Sequence, residues 1–122
     1  MARISDAEAQ VMAVLWLNSP LSTEDIASEL QSRQGWQLTT IKTLLNRLLK
    51  KGAVTAVKEG RRYLYSPLLQ RTEWVDEQAT GLLDRLFGGS LAPLVARFTS
   101  QRRLEPADLA AIKKLLKDYE RG

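Results

Sequence analysis

Residues 38–66 read LTTIKTLLNRLLKKGAVTAVKEGRRYLYS, and their pattern decides the fold. Ile41, Leu44, Leu45, Leu48 and Leu49 recur at the i, i+3, i+4, i+7 spacing of one helical face. The spacing predicts a helix that starts between Leu38 and Thr40, reaches Lys51 and is stopped by Gly52. Ala53–Lys58 and Arg62–Ser66 are rich in Val and Tyr and read as two strands joined at Glu59-Gly60. Pro67 has no N–H to extend their ladder. A helix followed at once by a tight hairpin is the core of a winged helix.

Working outward, two earlier helices complete that unit. Ser5-Asp6-Ala7-Glu8 is a capping-box signature opening a helix to about Leu17, with Val11, Met12 and Leu15 inward. Asn18-Ser19-Pro20 stops it. A second start falls at Ser22, with Glu24 and Asp25 in the first turn, where the helix dipole favours acids. Ile26, Ala27 and Leu30 form its inner stripe, and Gly35 fits a left-handed cap. Past Pro67 only helices are expected: Thr72 to Phe87, a short one capped by Ser90 with Pro93 at its third position, and a last one with Pro106 in its first turn.

The expected fold class is therefore mainly α with a small β-hairpin wing. Residues 1–67 form a winged helix-turn-helix and residues 68–122 a helical dimerisation region. A tail this short seldom encloses three apolar stripes alone. The stripes can pack on the first unit or on a second copy of the chain; the second copy is favoured, and Leu82, Leu86, Leu94, Val95, Phe98, Leu109, Ile112, Leu115 and Leu116 are the residues expected to meet it. Trp16 and Trp74 lie within amphipathic helices and read as core or interface.

Composition removes most chemistry. The 122 residues include no Cys and no His, which takes away thiolate ligands, disulfides, cysteine nucleophiles and the usual proton shuttle. There is no glycine-rich phosphate loop, and Asp76 and Glu77, adjacent on a helix, diverge. An enzyme is not expected, nor a metal or cofactor. No stretch approaches the roughly 20 apolar residues of a membrane span, and no signal-peptide pattern opens the chain, so a cytoplasmic location is expected.

Charge is distributed unevenly. Residues 1–37 carry a balance of −3, residues 38–66 one of +6, and residues 67–122 one of +1. Positive charge gathered on one helix and one hairpin suits a polyanionic partner, double-stranded DNA above all. A merely solvated basic face is the plainer alternative. The outward face of the third helix offers Thr40, Lys42, Thr43, Asn46 and Arg47 to base edges, with Lys50 and Lys51 reaching phosphates. Arg61 and Arg62 in the turn would straddle a phosphate ridge or probe the minor groove. Some of these residues have other readings. Thr39 and Thr40 suit helix caps, Asn46 a solvent-facing position, Arg62 the far face of the hairpin, and Trp36 a packing role. Tyr63 and Tyr65, on one strand face, are expected to pack on the helices.

These stretches resemble the BlaI/MecI/CopY group of bacterial transcriptional repressors, the penicillinase-repressor family. The resemblance rests on Ile4–Glu8, Val11-Met12, Val14–Trp16, Thr40–Leu48, Lys50–Ala53, Glu59–Arg61 and Tyr63 with Tyr65–Pro67, and continues through Leu83-Asp84, Gly89–Leu91 and Leu94–Ala96. It implies a homodimeric repressor on a palindromic operator, its tail forming the dimer. In β-lactam-responsive members a membrane sensor with a protease domain leads to cleavage of the tail, typically at Asn-Phe. The corresponding pair here is Arg97-Phe98. Copper-responsive members carry C-terminal cysteine pairs, which this chain lacks. The usual Ser-Pro opening of the recognition helix is replaced by Gln37-Leu38. A winged helix that docks proteins and reads no nucleic acid is the competing interpretation, and a repressor that senses a small molecule remains open.

Overall fold

Six helices and three short strands follow one another in a computed structural model that describes residues 3–122. Two compact units divide the chain at Val75/Asp76.

In the first unit each helix begins and ends where local chemistry permits. Helix α1 (Asp6–Leu17) opens on a complete capping box, the Glu8 amide donating to Ser5 Oγ at 3.1 Å and the Ser5 amide to Glu8 Oε1 at 2.7 Å. Helix α2 (Thr23–Gln34) repeats the device with Ser22 and Asp25, so Asp25 is a reciprocal cap rather than only a dipole partner. Gly35, at φ 69°, closes α2 in the left-handed region, as its position predicts. Helix α3 (Leu38–Lys50) has Gln37 as its N-cap with no side-chain hydrogen bond, so neither Thr39 nor Thr40 is the cap. Gly52 at φ 75° turns the chain out of α3, and the Ala53 amide reaches back to Leu48 O at 2.9 Å.

Strand β2 (Val54–Glu59) pairs antiparallel with β3 (Arg62–Pro67), with Glu59 opposite Arg62, so the loop is Gly60-Arg61, one residue later than expected. Gly60 takes the positive φ this tight turn requires, 65°. A third strand was not foreseen. Residues Leu21–Ser22 form β1 on the other edge of β3, giving the order β1-β3-β2. Ser22 is thus both opposite Leu64 in the sheet and the N-cap of α2, which ties the start of α2 to the base of the wing.

The core gathers Val11, Met12 and Leu15 of α1, Ile26 and Leu30 of α2, and Ile41, Leu45 and Leu48 of α3. Each such side chain contributes about 1.5–3 kcal/mol on burial. The unit extends past Pro67 for a traceable reason. Ala53 O accepts from the amides of Leu68 and Leu69, buried Leu69 in turn offers its carbonyl to Trp16 Nε1 at 2.9 Å, and the Trp16 ring lies 5.5 Å from that of Trp74. The boundary therefore falls eight residues beyond the expected one, since Leu69 and Trp74 complete the core.

Beyond Pro67 come α4 (Arg71–Phe87), α5 (Ala92–Ser100) and α6 (Pro106–Glu120). Leu91, not Ser90, is the N-cap of α5, and Pro93 is its second residue rather than its third. No residue of these three helices is buried. Leu86, Leu91, Leu109, Leu115, Leu116 and Tyr119 all stand exposed. Among the described residues no helix is long and apolar enough to cross a membrane.

Candidate nucleic-acid interface

Burying Ile41, Leu44, Leu45 and Leu48 fixes which side of α3 meets solvent. Thr39, Thr40, Lys42, Thr43, Asn46, Arg47 and Lys50 are accordingly exposed along its outer face. With no side-chain cap on α3 among the described residues, and with the Thr40 amide taken by Gln37 O at 3.1 Å, the amides of Leu38 and Thr39 are the ones left for a ligand, and an anion suits them. The Thr43 hydroxyl donates to Thr39 O at 3.0 Å, which uses its proton within the helix and leaves the oxygen only as an acceptor.

The hairpin stands beside this face. Lys42 and Asn46 of α3 line one wall of a groove whose other wall is Arg61, Arg62, Tyr63 and Tyr65 of the wing. Thr23 and Glu24, at the start of α2, close its end. Arg61 is at the tip of the turn, and Arg62 Nη2 approaches Glu59 Oε1 at 3.7 Å. The expected pairing of Tyr63 with the helices does not occur. Tyr65 is buried, but Tyr63 is 51% exposed, because it lies two residues nearer the tip, beyond the reach of the core. Trp36 is half-buried against the core, which favours its packing role.

One residue assigned to phosphate contact belongs elsewhere. Lys51 Nζ donates to the carboxylate of Glu8 and to Arg3 O at 2.9 Å. Glu8 is 1% exposed, so Lys51 is turned inward as the counter-ion of a buried charge. Burial pushes the Glu8 carboxyl up, but the Lys51 ammonium and the Ser5 hydrogen bonds outweigh it and hold it below its ordinary value. The basic run Lys50-Lys51 is split: Lys50 faces solvent and Lys51 stitches the end of α3 to the start of α1. Glu8, unlike Lys51, gave a cap signature in the sequence, but nothing in that signature shows that a lysine 43 residues away shares it.

A helix-turn-helix with an uncapped, basic-faced α3 and an arginine-tipped hairpin defines a winged helix-turn-helix protein. Residues 4–118 match the family model described as penicillinase repressor. Among curated relatives, the chain is 32% identical over 118 residues to the penicillinase repressor of Bacillus licheniformis, spanning 97% of this chain and 92% of that one. It is 26% identical to the methicillin resistance regulatory protein MecI of Staphylococcus aureus, over 93% of this chain and 92% of MecI. The solution structure of monomeric B. licheniformis BlaI in complex with the blaP half-operator matches 59% of this chain and 88% of that chain, with TM-score 0.52 and 42% identity. The chain belongs to the penicillinase repressor family.

Proposed function

We propose that this chain is a DNA-binding transcriptional repressor that lays α3 in the major groove of its operator and braces the wing on the flanking backbone. The observation that carries the reading is the shared groove of Lys42 and Asn46 with Arg61 and Arg62. A rod of reading groups and a cationic hairpin on one side of the molecule suit a duplex better than a protein surface. The likeness to a BlaI monomer solved in complex with a half-operator supports it. Lys42, Thr43, Asn46 and Arg47 are assigned to base edges, with Thr40 beside the helix start. Lys50, Arg61 and Arg62 are assigned to phosphates and Lys51 to neither.

The working form is a homodimer on a palindromic site. Its support is the tail, where Leu86, Leu115 and Leu116 stand exposed and nothing in α4, α5 or α6 is buried. A second copy covering those stripes joins two half-sites in one complex and raises affinity through effective concentration. Release by cleavage at Arg97-Phe98, through a membrane sensor or protease pathway, is part of the same proposal. That bond lies inside α5, where Arg97 O accepts from Gln101 N and Ser100 Oγ, so α5 must open before a protease can take the segment in extended form.

The test is binding of the pure protein to its own upstream intergenic duplex and to scrambled duplex across a salt series. A preference of about 10³-fold or more, with two chains per site, is the expected result. Equal binding to both duplexes contradicts sequence-specific repression, and no binding to either moves the protein-docking reading forward.

A further inference from the structure

Two carboxylates sit where a surface that meets phosphate has no obvious use for them. Glu24 is exposed at the second position of α2 and lines the same groove as Lys42, Arg61 and Arg62. Its neighbour Asp25 is consumed by the capping box with Ser22, whereas Glu24 makes no ion pair or side-chain hydrogen bond among the described residues. Its place is fixed by the sheet: β1 pairs with β3, so the first turn of α2 is held against the base of the wing. Glu59 is the second carboxylate. It faces Arg62 across the turn, with its Oε1 3.7 Å from Arg62 Nη2. Glu24 and Glu59 also line one further depression together with Arg61 and Arg62.

We propose that Glu24 and Glu59 hold down the charge-driven affinity of the groove for phosphate on every duplex, while leaving base contacts alone. The inference rests on the DNA-binding reading above and deepens it. Sequence-independent binding scales with the number of phosphates neutralised, and a carboxylate fixed beside an arginine cancels part of that neutralisation. Specificity is a difference of affinities, so a charge that weakens every site equally lowers overall DNA affinity and leaves the margin set by the base-edge contacts of α3 unchanged. Glu24 acts from α2 on the mouth of the groove, and Glu59 acts from within the wing on Arg62.

The test uses the full chain with Glu24→Gln, Glu59→Gln and the double variant. Each is titrated with a random-sequence duplex and with the upstream duplex across a salt series, with thermal melts to verify the fold. Each single substitution is expected to steepen the slope of log K against log salt by up to about 0.9 and to raise random-duplex affinity up to about eightfold near 0.1 M salt. Upstream affinity rises by the same factor as random-duplex affinity, so the margin between the two duplexes is unchanged, and the effects of the two substitutions add. Unchanged slopes and unchanged random-duplex affinity in folded variants overturn the inference while leaving the DNA-binding reading intact. Weaker binding by Glu24→Gln also overturns it, since Glu24 would then be a positive contact. Failure of the unsubstituted protein to bind any duplex removes both readings together.

Discussion

Replacing Lys51 with methionine distinguishes a structural lysine from a phosphate contact. Glu8 is 1% exposed, and its Oε1 accepts from Lys51 Nζ and the Ser5 amide, while Oε2 has no partner among the described residues. Removing the ammonium leaves a buried carboxylate held by the cap alone. Breaking one side of a buried pair costs about 3–5 kcal/mol when both charges are fully desolvated. The Lys51 side chain is 28% exposed, which brings the expected loss to about 2 kcal/mol. In urea unfolding the midpoint should fall by about 1 M with the slope unchanged.

The pH dependence follows from the lowered pKa of Glu8. A carboxylate depressed in the folded state contributes stability that is present above its unfolded pKa, about 4.3, and is lost as pH falls through the folded value. Lys51→Met removes two of the causes that lower the Glu8 pKa and leaves burial opposed by the Ser5 hydrogen bonds alone, so the stability lost on acidification should be smaller in the variant than in the unsubstituted protein. A Glu8→Gln and Lys51→Met cycle should return a coupling of at least about 1 kcal/mol. Were Lys51 a phosphate contact, its replacement would leave stability within about 0.5 kcal/mol and flatten the salt slope of DNA binding by about 0.9. That pair of results refutes the reasoning.

Arg61→Ala should lower affinity alike for all duplexes and flatten the salt slope by about 0.9, as read by fluorescence anisotropy. Asn46→Ala should instead leave the slope unchanged and erase about 1–3 kcal/mol of preference at one base pair, as read by competition with single-base variants of the bound site. Trp16→Phe removes the indole hydrogen bond to Leu69 O at 2.9 Å and should cost about 1–2 kcal/mol in chemical unfolding. Leu115→Glu with Leu116→Glu should convert a dimer to a monomer in sedimentation and weaken operator binding by at least about 10²-fold, without altering the melting of the first unit.

The parts of the fold legible in sequence are those written as local chemistry. The leucine stripe of α3, the Ser5/Glu8 and Ser22/Asp25 boxes and the glycine stops at Gly35 and Gly52 each depend on residues within one or two turns. The parts that were not legible depend on distant partners. Strand β1 is two residues long, too short to show alternation, and exists because β3 offers it an edge. Leu69 and Trp74 look like the start of a tail until Ala53 and Trp16 are found beside them.

The candidate interface divides in the same way. Periodicity alone places Lys42, Thr43, Asn46 and Arg47 outward, because the opposite face must be buried. Lys51 escapes that logic: at the last turn a long side chain can reach either solvent or the neighbouring helix, and only the position of Glu8 decides. Tyr63 is exposed where alternation suggests packing, because alternation gives its strand face but not how far along the wing the core extends. Glu24 had a sufficient local explanation in the helix dipole, and only the β1–β3 pairing reveals that it shares a groove with the wing arginines.

In the proposed complex, α3 and the wing together form the surface that meets DNA. The most direct test is a residue-resolved NMR titration of the protein with its own upstream duplex. The largest amide shifts are expected in Thr39–Arg47 and Glu59–Tyr63, while Val11–Leu15 of α1 stay in place. Shifts centred on α1 or on the tail, with α3 and the wing unmoved, would contradict it.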